Sequence, residues 1–374
     1  MPEIILEDPD GTFAMLRDSV AAFAQRFDGA KALRARREAG RDLDRDIWSA
    51  MAEAGWLGLM LPEDLGGAGL GLREQAILSE ALGRALITEP LAQLSVFAGT
   101  LLAGADAGEE RTRLAEGLVS GALIVTPVWQ DMNGGSAAIS ATASPEGVTL
   151  SGTAELVAAA ASADIFLVVA RLQDDEVLIS VPVGSSGLTV TERPTVDGAT
   201  LAQVRFDGCK VATNEILARG LLGNGLRDDA IQATRLTLAA ELAGAGSKAL
   251  EDTVAYTKER VQFGKPIASF QAIQHRLVDM WGAAEFACAA IVNALERLDD
   301  EPGKPAALAV LAAKARAGDA AVDISRKAIH LHGAMGFTDE CDIGLYMKRA
   351  VNLNATLGNP AQLRLQFVAL ERAA

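Results

Sequence analysis

The feature that most constrains the fold is that the hydrophobic pattern changes its period twice along the 374 residues. From Gly11 to about Gly121, and again from Asp228 almost to the C-terminus, apolar residues recur at the spacing of amphipathic helices. Between Ala122 and Ala218 they form short β-rich runs separated by Gly, Asp, Pro and Ser. The chain is therefore predicted to build helices, then a β domain, then helices again.

The β-rich runs follow one another at hairpin-like intervals, with no helical stretch between them. This spacing favours an antiparallel barrel or sandwich over a parallel nucleotide-binding sheet. Four C-terminal helical windows are rich in alanine and contain no proline, which predicts long helices packed as a four-helix bundle. The windows are Leu236–Tyr256, Ile273–Leu298, Ala306–His332 and Ala361–Ala373. We expect an α+β multidomain protein with an α-helical domain over 1–121, a β domain over 122–218 and a four-helix domain over 219–374.

Composition narrows the classes of partner. The chain has 34 basic and 49 acidic residues, a net charge of −15, so its surface repels nucleic acid and anionic lipid, and we expect neither as a partner. Cys209, Cys288 and Cys341 lie far apart without a C-x-x-C spacing, so neither a disulfide framework nor a metal site is expected. The first residues lack the pattern of a secretory signal and no run is long enough to span a membrane, which predicts a cytoplasmic protein.

Two segments carry residues suited to binding a phosphate group and an aromatic ring. The first reads RVQFGKPI from Arg260, where the guanidinium offers a rigid fork of donors for a pyrophosphate and Phe263 can pack on an adenine or flavin face. The second reads HLHGAMGFT from His330, where glycines let backbone amides approach an anion. The alternative is structural: a surface arginine beside a helix end, a core phenylalanine and a histidine that serves as an ordinary donor.

These segments, together with Trp48, Gly55–Trp56, Pro62–Glu63, Gly66–Gly67, Glu80 and Pro90, resemble the acyl-CoA dehydrogenase family of flavoproteins over about residues 12 to 365. The resemblance implies the predicted order of domains, with a C-terminal four-helix domain that dimerises within a tetramer. It also implies FAD as cofactor, an acyl-CoA as substrate and an electron-transfer flavoprotein as electron acceptor.

The resemblance also implies which residues bind FAD. These are Arg260, Gln262, Phe263, Gln271, His330, Gly333, Ala334, Gln362 and Thr126. The turn at Gly333 would receive the phosphates and adenosine of a FAD from a neighbouring subunit, although the family more often has Gln in place of His330 and Gly in place of Ala334. In the β domain, the family's Thr-Glu-Pro-Gly-x-Gly-Ser-Asp loop is reduced to Thr126–Gln130, and its Trp-Ile-Ser/Thr strand to Glu155–Ala158.

The position of the family's catalytic carboxylate holds Gly358 in the run LGNPAQ. In the family this carboxylate removes the α-proton of the acyl thioester while the β-hydrogen leaves as hydride to the flavin. A second family location for the base aligns with Thr234, which is not a usable base. Glu241, two helical turns later on the same face, is the alternative base. Its structural interpretation is that it faces solvent or meets a basic residue of a neighbouring helix.

Three functional hypotheses follow. The first is an FAD-binding subunit of a heteromeric acyl-CoA dehydrogenase that degrades a fatty, steroid or aromatic acid, because the missing carboxylate resembles the base-lacking subunits of two-component enzymes. The second is an active homotetramer that uses Glu241, and the third is a non-catalytic scaffold. A nicotinamide enzyme is rejected, because neither Gly66–Gly69 nor Gly223–Gly225 matches G-x-G-x-x-G between a strand and a helix.

Overall fold

The computed structural model describes residues 1–144, 146–221 and 225–373. Contacts between Cα atoms group the chain into two compact units. The helical unit comprises Met1–Leu33, Leu72–Thr88 and Arg235–Ala374, and the sheet unit comprises Arg34–Gly71 and Glu89–Thr234. The boundaries 1–121, 122–218 and 219–374 stay a prediction.

The α-helices described by the structure account for about half of the chain and lie in the two segments where the helical periodicity predicts them. They are α1 (Thr12–Arg26), α2 (Gly29–Ala39), α3 (Arg45–Glu53), α4 (Leu72–Arg84), α5 (Ala98–Ala103), α6 (Glu109–Val119), α7 (Leu226–Glu259), α8 (Gln271–Asp300), α9 (Lys304–His332), α10 (Ile343–Ala355) and α11 (Pro360–Arg372). A π-helical turn, Ala92–Phe97, leads into α5.

The central β domain is present, with one difference from the predicted antiparallel arrangement. Its strands are β1 (Val125–Val128), β2 (Ala138–Ser144), β3 (Gly147–Ala158), β4 (Ile165–Leu172), β5 (Asp175–Pro182), β6 (Leu188–Pro194), β7 (Thr200–Ala212) and β8 (Ile216–Arg219). The order in the sheet is β6-β7-β3-β2-β4-β5-β8, and both β1 and β2 pair with β4 in parallel, β2 through Ser140 and Arg171. The sheet is therefore mixed. No hairpin connects β1 to β4, so the chain is not forced to run antiparallel where these two strands pair.

The core of the sheet unit comes from one face of the long strands and from both faces of β4. Phe166, Val168 and Ile179 are fully buried, as are Val204 and Phe206 on alternate positions of β7. Alternation marks a strand with one buried face, whereas a continuous buried run such as that of β4 marks a strand covered on both sides.

Small residues let the helices of the helical unit approach closely. A Cβ on Gly83 of α4 would lie 2.2 Å from the carbonyl oxygen of Glu241 on α7, and one on Gly244 would lie 2.0 Å from that of Glu80. Helices α4 and α7 therefore cross in backbone contact. Helix α9 packs against α8, α10 and α11, so that the C-terminal helices fit the predicted four-helix bundle.

Among the residues that the structure describes, one helix, α8, is long and apolar enough to cross a membrane by length and composition, and a third of its most apolar segment is buried. Apolar helices of packed bundles pass the same test. Three large side chains on α8 are well exposed: Val278, Trp281 and Phe286.

Candidate functional site

The predicted pyrophosphate residues lie on a short hairpin at the end of α7. The backbone N–H of Arg260 donates to the carbonyl of Tyr256 at 2.8 Å and closes the last helical turn. The chain then forms β9 (Val261–Gln262) and β10 (Lys265–Pro266), an antiparallel pair. The side chains of Arg260 and Gln262 are exposed, which leaves their donors accessible to a ligand.

Phe263 occupies the tip of this hairpin and is not a core phenylalanine. Its side chain is 92% exposed and its φ is +53°, a left-handed conformation that is strained for a bulky residue. Its ring meets that of Phe270 edge to face at 6.1 Å. An exposed aromatic ring held in a strained conformation is typical of a binding site.

The end of α9 presents the predicted glycine turn. Gly333 has a φ of +64°, and no heavy atom lies within 4 Å of the position of a Cβ there, so its backbone is open. His330 and Ala334 are exposed, while His332 is buried and stacks on the ring of Tyr256 at 4.3 Å. Since Tyr256 lies one turn before Arg260, the structure brings the glycine turn and the hairpin to the same end of the helical unit.

The residues at this end fit the phosphates and rings of FAD. They combine exposed side-chain donors, an exposed aromatic face and an open glycine backbone, which is the donor set that an anionic dinucleotide requires. Gln271, the first residue of α8, is also exposed. We call Arg260, Gln262, Phe263, Gln271, His330, Gly333 and Ala334 the hairpin-end group.

The turn between α10 and α11 holds Gly358, the residue that the sequence resemblance predicts at the position of the catalytic carboxylate. Gly358 has a φ of +107°, and a Cβ at this position would lie 3.0 Å from Cδ2 of Leu363. The next residue, Asn359, caps α11: its side chain accepts from the N–H of Gln362, and Oε1 of Gln362 accepts from the N–H of Asn359, both at 3.0 Å. Gln362 thus has a structural role in this chain, and its contact with FAD stays a prediction.

Two cations that sequence reasoning missed hold this turn. Arg235 of α7 donates through Nε to the carbonyl of Leu357 at 3.0 Å and through Nη2 to Gln366 at 2.8 Å. Lys314 of α9 is fully buried, and its Nζ donates to the carbonyl of Leu353 at 2.9 Å. Burial, together with the smaller effect of the nearby charge of Arg235, lowers the pKa of Lys314 to about 7. The available signal was a lysine at a core position of an alanine-rich helix.

Glu241, the alternative base, is committed to an ion pair. It is buried on α7, and Arg349 of α10 contacts its Oε1 through Nη2 at 2.6 Å and through Nε at 2.8 Å. Glu241 therefore meets a basic residue of a neighbouring helix, as its structural interpretation predicts. Thr234, the other family location for a base, donates its hydroxyl to the carbonyl of Ala230.

The structure does not bring all the predicted residues into one place. Arg235, beside the Gly358 turn, and Tyr256, beside the hairpin-end group, are separated by about 30 Å along α7 at the rise of an α-helix. Gln362 and Gly358 therefore lie far from Arg260 within a single chain.

Thr126 belongs to the sheet unit. It pairs with Phe166 across β1 and β4 and is fully buried, and its Oγ1 has no hydrogen-bond partner among the described residues. Trp129, at the end of β1, stacks on Phe97 of the π-helical turn at 5.3 Å. A buried hydroxyl without a partner is costly, and the contact of Thr126 with FAD stays a prediction.

Some absences bear on the sequence predictions. Within the described ranges no group of three His, Cys, Asp or Glu side chains could hold a metal ion, and the three cysteines are free. Of the glycine segment Gly223–Gly225, the first two residues lie outside the described part of the chain.

Comparisons with known proteins agree with this architecture. The acyl-CoA dehydrogenase N-terminal domain matches residues 12–121 and the C-terminal domain matches residues 223–366. The acyl-CoA dehydrogenase IpdE2 of Mycolicibacterium smegmatis is 30% identical over 93% of this chain and 95% of its own length.

Two solved structures share the fold over almost all of both chains. The ChsE4-ChsE5 complex of Mycobacterium tuberculosis superposes with a TM-score of 0.89 at 25% identity, covering 100% of each chain. A variant of the steroid ACAD Tcur3481-Tcur3483 superposes with a TM-score of 0.86 at 28% identity, covering 96% of this chain and 97% of the other. By both of its domain matches and its near full-length relatives, the chain belongs to the acyl-CoA dehydrogenase family of oxidoreductases.

Proposed function

We propose that this chain is the FAD-binding, base-lacking subunit of a heteromeric acyl-CoA dehydrogenase, and that a partner chain of the same family supplies the carboxylate. The observation that carries the proposal is the state of two candidate base positions, that of Gly358 and that of Glu241. Gly358 occupies one in a conformation that side chains rarely adopt, and Glu241 is tied to Arg349. Neither position offers a free carboxylate for the α-proton.

The separation of the two predicted ligand groups supports association. Because the hairpin-end group and the Gly358 turn are about 30 Å apart along α7, one chain contributes to two different FAD sites. The exposed apolar side chains of α8 give a surface that association would cover. A four-chain assembly of two unlike pairs satisfies both conditions, and the structural relative ChsE4-ChsE5 is itself a complex of two proteins.

The cofactor is FAD, which supplies the acceptor for two electrons from the substrate. Arg260 would bind its pyrophosphate, the backbone at Gly333 would approach a phosphate, and Phe263 would pack on the adenine or the flavin ring. The electrons then pass to an electron-transfer flavoprotein, and the reaction takes place in the cytoplasm.

The substrate is an acyl-CoA with a bulky acyl group. Gly358 removes the glutamate side chain that the family has at this position, so that side chain does not limit the acyl group. The structural relative Tcur3481-Tcur3483 is a steroid ACAD, which supports a ring-bearing acyl group for this chain.

The test is to purify the chain alone and together with a glutamate-bearing acyl-CoA dehydrogenase chain of its own genome, and to measure released flavin and bleaching of the flavin absorbance by acyl-CoA. We expect stoichiometric flavin and bleaching only in the complex. Replacing the partner's glutamate by glutamine should abolish bleaching and leave the flavin bound.

Two other outcomes would replace the proposal. Bleaching by the chain alone that is lost in Glu241→Gln would establish the homotetramer with a relocated base. Absence of flavin both from the chain alone and from every complex it forms would establish the scaffold.

A further inference from the structure

One tyrosine side chain joins the two segments of the hairpin-end group. Tyr256 lies in the last turn of α7, and His332 is the last residue of α9. Their rings stack with centroids 4.3 Å apart and planes 19° from parallel. The hydroxyl of Tyr256 also donates to the backbone carbonyl of His332 at 3.3 Å. We call this double contact the Tyr256–His332 clamp.

Each half of the clamp is connected directly to one of the predicted phosphate-binding segments. The backbone carbonyl of Tyr256 accepts from the N–H of Arg260 at 2.8 Å, and the carbonyl of Arg260 accepts from the N–H of Ile267 at 2.9 Å, which closes the base of the hairpin. His332 immediately precedes Gly333, whose backbone is open. A shift of either ring therefore displaces a segment that is predicted to bind FAD.

The ring of His332 is fixed in orientation as well as in position. His332 is buried, and its Nδ1 lies 2.9 Å from the carbonyl oxygen of Ala328, one turn earlier in α9. Because a carbonyl only accepts, Nδ1 carries the proton of this bond. The imidazole is held at its edge by its own helix and on its face by Tyr256, so it cannot rotate without losing a contact.

The segments that the clamp joins have little burial of their own. Every residue of β9 and β10 is exposed, and so is Phe263 at the tip of the hairpin. No heavy atom lies within 4 Å of the position of a Cβ at Gly264 or at Gly333. Core packing therefore does little to place the hairpin or Gly333, which leaves that task to contacts at their bases.

We propose that Tyr256 and His332 are positioning residues for FAD. They fix the distance between the hairpin at Arg260 and the backbone of Gly333, so that both meet the phosphates of one dinucleotide without a prior rearrangement. Preorganised donors bind a ligand more tightly because less conformational freedom is lost on binding. This inference rests on the proposed function, since it requires the hairpin-end group to bind FAD. Neither ring is assigned a contact with the cofactor.

Histidine NMR of the full chain tests the clamp without FAD or a partner. The chain has three histidines, of which His332 is buried while His275 and His330 are exposed. With isotope labelling at histidine Cε1, we expect one of the three signals to lie upfield of the other two, because His332 lies on the face of Tyr256. Tyr256→Leu should move that signal toward the others, and Tyr256→Phe, which keeps a ring, should preserve its upfield position.

Flavin retention in the complex with a glutamate-bearing partner chain tests the function. Tyr256→Leu should lower FAD affinity about tenfold, whereas Tyr256→Phe should stay near the wild type. Tyr346→Leu is the matched control, because Tyr346 is the other tyrosine of the chain and its hydroxyl donates to the carbonyl of Arg84 at 2.7 Å. It should lower the free energy of unfolding and leave the FAD affinity of the folded chain unchanged. If Tyr256→Leu does not fold, His332→Leu and His332→Phe test the same stack from α9.

The outcomes separate the clamp from the FAD site. If the wild-type complex holds FAD and Tyr256→Leu retains it in full, or Tyr346→Leu loses it to the same extent as Tyr256→Leu, the positioning role alone is overturned. An upfield histidine signal that survives Tyr256→Leu, or its absence from the wild type, overturns the clamp itself. A wild-type complex without FAD overturns the proposed function, and this inference with it.

Discussion

Glu241 of α7 and Arg349 of α10 form a buried ion pair in which two guanidinium nitrogens lie 2.6 and 2.8 Å from one carboxylate oxygen. The two residues are 108 positions apart in the sequence. The pair joins α7, which carries Thr234 at one predicted location of the base, to α10, which leads into the Gly358 turn at the other. It also gives Glu241, the alternative base, a structural partner.

This pair predicts a stability effect from substitutions at either residue. Arg349→Met should lower the free energy of unfolding by about 3–5 kcal/mol, because it leaves a buried carboxylate without its partner, whereas the double variant Glu241→Leu/Arg349→Met should lose less. Urea denaturation of the four variants of the cycle measures the coupling. If Glu241→Gln kept full stability but abolished flavin bleaching in the complex, Glu241 would be the base after all.

The conformation of Gly358 predicts that a side chain cannot simply be restored there. With a φ of +107° and Leu363 3.0 Å from the position of a Cβ, Gly358→Ala should destabilise the chain by about 1–3 kcal/mol. Gly358→Glu should likewise fail to give the chain alone a working base. Gly282→Ala in α8 is the control, because no heavy atom lies within 4 Å of its Cβ position and its φ is not positive, so it should be neutral or stabilising.

The buried carboxyl of Glu80 predicts that the free energy of unfolding falls as the pH rises from the acid range to neutrality. Desolvation raises its pKa from 4.5 to about 7, so the native state binds a proton more tightly than the unfolded state. The resulting stabilisation, on the order of 3 kcal/mol, is fully present below pH 4.5 and is lost as the pH rises through 7. Thermal unfolding from pH 4.5 to 7.5 should show this slope in wild type and in Glu296→Gln, an exposed control, and a weaker slope in Glu80→Gln.

Lys314 predicts the opposite slope at higher pH. Burial lowers its pKa from 10.5 to about 7, so the native state binds the proton less tightly than the unfolded state. Stability from this group is therefore fully present above pH 10.5 and is lost as the pH falls through 7. Lys314→Met should remove this contribution to the pH profile, and Lys327→Met, at a partly exposed lysine of the same helix paired with Asp323, should leave it unchanged. An identical profile for both variants would contradict the burial effect.

Because Arg260 on the hairpin is exposed, its substitution should change FAD affinity without unfolding the chain. Arg260→Gln should reduce FAD affinity in the assembled complex about tenfold to a hundredfold, because it removes a charge-assisted contact to the pyrophosphate. The measurement is flavin retained after gel filtration. Arg297→Gln, at an exposed arginine paired with Glu301 on α8, should retain flavin as wild type does, and equal retention by the two variants would remove Arg260 from the site.

The sequence pointed to local features correctly where the determinants are local. Whereas the hairpin after Arg260 and the cap of α11 at Asn359 were not predicted, the helix end at Arg260 and the glycine turn at Gly333 depend on residues within one or two turns, and both are found where the pattern predicts them. The same applies to the periodicity that separates helices from strands. Their positions are set by backbone conformation and by which face of an element is apolar.

Contacts between residues that are far apart in the sequence could not be predicted from local patterns. Neither the parallel pairing of β1 with β4 nor the burial of Lys314 leaves a distinctive local pattern, and the partner of Glu241 lies too far along the chain for any spacing rule.

By itself, then, the sequence determined the family and the order of the elements, and it predicted the loss of the carboxylate at Gly358, because these are properties of residue types at particular positions. Only the tertiary structure decided that Glu241 is bound to Arg349, that Arg235 and Lys314 hold the Gly358 turn, and that the two ligand groups lie at opposite ends of α7. The physical reason is that the energy of a buried charge depends on what surrounds it in space, and helix packing, not sequence spacing, places those surroundings.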